Sequence, residues 1–175
     1  MAYKEGFEHY LFLKILALAI PKGAQEICDG TDKRKKWLSE YSYLLPTCML
    51  LTTFSYVEGM LGESWIENYG SSLQEELESL RIIRNAITHN EGNIKNNRKS
   101  RGRDGETQFI YVKEFVDKLR EGSYKPLESW ENDKRLSYIQ LQETGMVKLG
   151  ESSYGRIGAV INKILKLAGK IQFEE

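Results

Sequence analysis

The sequence predicts a mainly α fold, a bundle of about five helices with a short β-hairpin before the last one. Three observations lead there. Apolar residues recur at three- and four-residue spacing along most of the chain, a single long polar stretch at residues 90–107 interrupts them, and the turn residues Glu143, Thr144 and Gly145 separate two short apolar segments.

The length of 175 residues suits one domain with its own core, spanning residues 1–175. A hydrophobic content of 41% and only 2 cysteines set aside a disordered or low-complexity chain and a disulfide scaffold. With 25 Lys and Arg against 25 Asp and Glu, the chain is no broadly basic nucleic-acid coat, so any such affinity has to come from a local patch.

The first expected helix covers residues 6–20 and is apolar nearly all round, which suits a helix central to the core. Its apolar run at 10–21 is broken by Lys14 and is too short for the ~20 residues of a membrane span. The preceding Lys4, Glu5 and Glu8 lack the positive flank of a signal peptide, so no membrane association is expected. Cys28 and Cys48 form no CxxC pair and have no His at ligand spacing. They are expected to be two buried thiols in a reducing cytoplasm, with no metal site.

A second helix opens at Pro46, whose missing amide hydrogen costs nothing in a first turn. Leu50, Phe54, Val57 and Leu61 mark its buried face, with Glu58 beside it, and the pattern is expected to continue through Trp65 and Ile66 despite Gly59 and Gly62. The third helix starts at a capping box, Ser72 with Glu75, and stops near Gly92. Its acidic residues Glu75, Glu76 and Glu78 are expected on a solvated face near the positive helix end. A fourth helix is expected over residues 109–120 (Ile110, Phe115, Val116, Leu119) and a last one over 154–171. Residues 136–141 and 146–149 form the expected hairpin.

One residue of the third helix departs from its pattern. On a wheel of about 100° per residue with Leu73 at zero, Leu77, Leu80 and Ile87 fall within about 40° of it, and Arg84 falls at about 20°. An arginine in an apolar stripe has to be paired, has to reach a polar cavity, or has to extend to the surface. Glu58 of the second helix is the candidate ion-pair partner. The next turn gathers Asn85, Thr88, His89 and Asn90, and a histidine there can exchange protons near neutral pH. His89 falls at about 160° on the same wheel, so Arg84 and His89 share no face of a regular helix. They meet at one phosphate only if the last turn unwinds or a second subunit contributes.

Arg84-Asn85-Ala86-Ile87-Thr88-His89 resembles the Arg-x4-His mark of the HEPN (higher eukaryote and prokaryote nucleotide-binding) superfamily, with Asn85 in the polar slot after the arginine. The resemblance covers mainly residues 50–90. It implies an HEPN-like helical bundle and a metal-independent endoribonuclease without cofactors, often a toxin or a defence factor against phage or plasmids, that works as a homodimer. A cognate antitoxin or a nucleotidyltransferase-like partner is implied in the same way. By that resemblance His89 acts as acid or base on the ribose 2′-OH or the leaving 5′ oxygen. Arg84 stabilises charge on the phosphate, and Asn85 orients a neighbour or binds phosphate. The products are a 2′,3′-cyclic phosphate and a 5′-OH, because the nucleophile belongs to RNA itself.

Beyond His89, the segment 93–103 carries Lys95, Arg98, Lys99, Arg101 and Arg103 and no acid. It can follow an RNA backbone, or it can be a solvated loop. Residues 33–36, beside Trp37, are a weaker second patch. Neither a Walker loop nor an HExxH pair is present, Gly102 and Gly105 lacking the spacing for the former. Three readings follow: an HEPN-like RNA endonuclease, a non-catalytic HEPN-like interaction or nucleotide-binding module, and a helical interaction domain in which Arg84 simply pairs with Glu58. A guanidinium open to a groove favours the first two, and one sealed against a carboxylate favours the third.

Overall fold

A computed structural model of the chain describes residues 46–55, 57–59, 62, 64–68, 71–122, 138–150, 156–157 and 160. The expected first helix, Cys28, the basic cluster at 33–36 and most of the expected last helix lie outside them. Among the described residues the chain is mostly helical, with one antiparallel two-stranded sheet.

Residues 46–55 and 57–59 are helical (α1), with Pro46 inside the helical stretch and the residues before it outside the described set. Leu50, Phe54 and Val57 are buried, while Cys48 is exposed, contrary to the expected buried thiol. The helix does not run on into Trp65. Gly62 takes a positive φ of 79° and its amide donates to the Glu58 carbonyl at 3.0 Å, the left-handed ending that glycine supplies without steric cost. Trp65–Asn68 is instead a separate 3-10 turn, and the Trp65 ring meets Phe54 edge to face at 5.4 Å.

Helix α2, Ser71–His89, is the centre of the described core. Every residue from 76 to 83 is buried, so the acidic run does not form a solvated face: Glu76 and Glu78 lie inside. The helix starts one residue before Ser72, whose side chain lies outside the described set, and it closes as the glycine signal predicts. Glu91 and Gly92 have φ of 52° and 86°, and the Gly92 amide reaches back to the Ala86 carbonyl at 3.0 Å.

Helix α3, Gly105–Arg120, begins earlier than the apolar period suggests, because Asp104 caps it by accepting from the Thr107 amide at 2.9 Å. Its buried side is Phe109, Val112, Phe115, Val116 and Leu119 with Gln108 among them, and Ile110 points to solvent. Strands β1 (Ile139–Leu141) and β2 (Val147–Leu149) pair in the expected hairpin, with Ile139 opposite Leu149 and Leu141 opposite Val147. Gly145, at φ 92°, closes the turn. The chain just after α2 lies along this turn: the Ile94 amide donates to the Gly145 carbonyl at 2.9 Å and the Val147 amide to Gly92 at 2.8 Å. Residues 156, 157 and 160 are helical, as the expected last helix requires.

A buried ion pair ties that last segment to α2. Arg156 donates from Nε to Glu76 Oε1 at 2.7 Å and from Nη2 to Glu76 Oε2, and the Tyr138 hydroxyl donates to Oε1 at 3.1 Å. All three residues are sealed from water, so the carboxylate is held by charge and hydrogen bonds together. No helix among the described residues is long and apolar enough to cross a membrane.

Candidate functional site

The regular course of α2 through His89 decides how the Arg-x4-His residues are presented. The last turn does not unwind, so Arg84 and His89 keep the angular separation of a regular helix. Arg84 turns to α1, where Nη2 donates to Glu58 Oε1 at 2.6 Å and Oε2 at 2.5 Å. Its guanidinium carbon lies 6.0 Å from the Phe54 ring centre, and its Nε is buried without an acceptor among the described residues. The side chain keeps 16% of its surface exposed, so it sits at the rim of the core. This is the ion pair that one reading of the sequence assigns to a structural arginine. Thr88 donates from Oγ1 to the Arg84 carbonyl at 2.8 Å and is itself exposed, so it contributes no contact to the pair.

His89 is exposed and lies on the other side of α2, one turn beyond Asn85. Together with Asn90, Asn97, Arg98, Lys99 and Ser100 these two residues line a cavity of about 390 Å3. Arg84 is not among its lining residues. Within one chain the structure therefore brings His89 and Asn85 to the basic segment and leaves Arg84 apart.

The basic segment is built into the fold. Asn97 is buried between the two helices, donating from Nδ2 to the Ile82 carbonyl of α2 at 3.2 Å and to Gln108 Oε1 of α3 at 3.0 Å. Its Oδ1 accepts from Asn90 Nδ2 at 2.8 Å. Gln108 in turn donates from Nε2 to the Arg98 carbonyl at 3.0 Å and the Arg103 carbonyl at 3.1 Å. Ser100 and Arg103 exchange backbone hydrogen bonds across Arg101 and Gly102, both at positive φ, as a tight two-residue turn demands. Gly105 completes the closure. A Cβ there would stand 2.0 Å from the Lys95 carbonyl oxygen, so only glycine lets the start of α3 approach the segment this closely.

This scaffold divides the five cations. Lys95 pairs with Glu106 at 3.3 Å and lies 4.3 Å over the Phe109 ring. Arg101 and Arg103 turn to Glu78, at 3.6 and 3.3 Å, and Arg103 also stacks on Tyr111 at 4.3 Å. Arg81 binds the same carboxylate from Nε at 2.9 Å and Nη2 at 2.7 Å. Burial pushes the Glu78 carboxyl up, but the Arg81 hydrogen bonds and the charges of Arg81, Arg101 and Arg103 outweigh it and hold the pKa below the ordinary range. Arg98 and Lys99 are exposed and make no side-chain hydrogen bond or salt bridge among the described residues. The positive charge of the segment that is left without a carboxylate in contact is thus concentrated on the wall of the His89 cavity.

Among the described residues no group of three or more His, Cys, Asp or Glu side chains is placed to hold a metal ion. The residues that sequence reasoning missed are Asn97, Gln108 and Arg81. Gln108 carried a legible signal, since it falls within the apolar stripe of α3, about 40° from Val112 on the helical wheel. No family model, no curated protein and no solved structure matches this chain.

Proposed function

We propose that the chain is an HEPN-like, metal-independent endoribonuclease acting on RNA as a homodimer, in a toxin or defence role, with His89 as the proton-transfer group. The observation that carries this reading is the cavity in which an exposed His89 and a half-buried Asn85 face Arg98 and Lys99, two cations that make no salt bridge to a carboxylate among the described residues. A phosphodiester brings the negative charge such a wall lacks, and a histidine beside it can take or give the one proton that each half of the reaction moves. In that reaction the 2′ oxygen attacks phosphorus, its proton is taken up, and the 5′ oxygen leaves with a proton, giving a 2′,3′-cyclic phosphate and a 5′-OH. Arg84 stands on the other side of α2, so its part in stabilising the phosphate is supplied across a dimer interface, by the second copy.

A second reading, a non-catalytic binding module in the form of a helical interaction domain where Arg84 serves the fold, is favoured by one observation: the Arg84 guanidinium already holds both oxygens of Glu58. The test is cleavage of labelled single-stranded RNA and tRNA in excess EDTA by the wild type, His89→Ala and Arg84→Ala. The nuclease reading expects cleavage that survives chelation, leaves cyclic phosphate ends and disappears in both variants. Equal inertness of three folded proteins would transfer the assignment to the binding module.

A further inference from the structure

We propose that Gln108 is a positioning residue for RNA binding: from inside α3 it sets the course of residues 97–103 and so determines which cations of the segment reach the His89 cavity. The inference rests on the reading of that cavity as the RNA site. Gln108 is almost wholly buried, yet nothing about packing α3 requires a carboxamide in an apolar stripe. All of its side-chain hydrogen bonds go to the segment. Nε2 donates to the Arg98 and Arg103 carbonyls, and Oε1 accepts from Asn97, which donates in turn to the Ile82 carbonyl of α2.

The two carbonyls it grips flank the point at which the segment changes allegiance. Arg98 and Lys99 line the His89 cavity, whereas Arg101 and Arg103 line a separate cleft of about 450 Å3 with Glu67, Glu75 and Glu78. Ser100, between them, accepts from Arg81 Nη1 at 3.2 Å. Releasing the carbonyls removes their side-chain donors from α3, leaving the Arg98 carbonyl to find water and the Arg103 carbonyl with the Ser100 amide as its remaining donor. The turn at 100–103 keeps its ties to Arg81 and Glu78, but the stretch before it loses its tether to α3, and Arg98 and Lys99 lose their fixed place beside His89.

The experiment measures binding of the full chain to a labelled 2′-O-methylated RNA oligonucleotide, which keeps the phosphates and lacks the attacking hydroxyl, as a function of salt. The proteins are the wild type, Arg98→Ala/Lys99→Ala, Gln108→Met, and the triple combination. Each phosphate contact on a single strand contributes about 0.7 to the slope of log K against log salt, so the Arg98→Ala/Lys99→Ala protein should bind with a slope shallower by about 1.4. Gln108→Met should lose slope to a similar extent with both cations still present, and the triple variant should lose no more than the double. A residue that merely stabilises the fold would shift the melting temperature and leave that slope alone.

If Gln108→Met fails to fold, Gln108→Glu takes its place, since it keeps the acceptor for Asn97 and loses the donors. A wild-type slope in a folded Gln108 variant, with binding lost in Arg98→Ala/Lys99→Ala, overturns the positioning role and leaves the RNA site standing. Unchanged binding in Arg98→Ala/Lys99→Ala overturns both.

Discussion

Arg84 and His89 stand five residues apart on α2 and open onto different sides of it, the first against Glu58 of α1 and the second into the cavity walled by Arg98 and Lys99. A site that needs both has to be completed by a second copy. Mixing Arg84→Ala with His89→Ala should then restore RNA cleavage to proteins that are each inactive. Random exchange between two-fold dimers would leave about a quarter of the wild-type sites intact. A mixture as inert as its components, in dimers shown by mass to have exchanged, would rule out the composite arrangement.

The pair between Arg84 and Glu58 is partly buried and bonded through both carboxylate oxygens. A double-mutant cycle with Arg84→Met and Glu58→Gln, read by urea unfolding, should give a coupling of about 1–2 kcal/mol. A coupling near zero would mean that Arg84 is free to leave Glu58 at little cost.

Glu76 and Arg156 are a fully buried pair, and removing one partner strands the other charge. Glu76→Ala and Arg156→Met should each cost about 3–5 kcal/mol of stability. Glu76→Leu combined with Arg156→Met should cost less than either, because no charge is left behind. Tyr138→Phe, which removes one hydrogen bond to the same carboxylate, should cost about 1 kcal/mol. Chemical denaturation of the four proteins checks the order.

Glu78 links pH to stability. Its carboxyl is held below the ordinary value of 4.5 in the folded chain, so its contribution is fully present above about that pH and is lost as pH falls through the lower folded value. Thermal melts should show stability dropping below about pH 4.5, and Glu78→Gln should be less stable at neutral pH with a flatter acid limb. Parallel acid limbs for the two proteins would exclude Glu78 as a source of the effect.

Gly105→Ala places a methyl group against the Lys95 carbonyl. A cost of about 1–3 kcal/mol is expected, as for other overpacked contacts, with the loss also felt in RNA binding because Lys95 leads into the basic segment. Asp104→Ala removes the cap together with a carboxylate near Lys99 and should cost about 1 kcal/mol, with RNA binding retained. Comparing the two separates displacement of the segment from weakening of the helix.

The parts of the fold legible in the sequence are those set by local chemistry. Gly92 ends a helix and the Glu143–Gly145 turn closes a hairpin, both through backbone geometry that only a few residues offer. The less legible parts depend on partners distant in sequence. Glu76 sits at about 300° on the wheel that singles out Arg84, between Leu80 and Ile83, so the same argument marks it as a buried charge. Its neighbours Glu75 and Glu78 made it look like part of a solvated run. The partner that makes burial tolerable, Arg156, lies 80 residues away and leaves no local trace. The start of α3 was obscured for another reason: the apolar period begins only at Phe109, while the cap that fixes the helix end is Asp104. In the candidate site, the Arg-x4-His spacing and the basic segment are visible in the sequence. The division of the five cations is not, because it follows from Gln108 and Glu78, which no spacing rule connects to the segment.

The bond from Arg156 to Glu76 also orders events during synthesis. A growing chain that has not yet reached residue 156 has a carboxylate in the second turn of α2 with no countercharge to enclose it. Closing so long a loop comes late in folding, since the entropy of joining distant residues is met before their contact forms. The helix that carries His89 is therefore secured only once residue 156 is available to pair with Glu76.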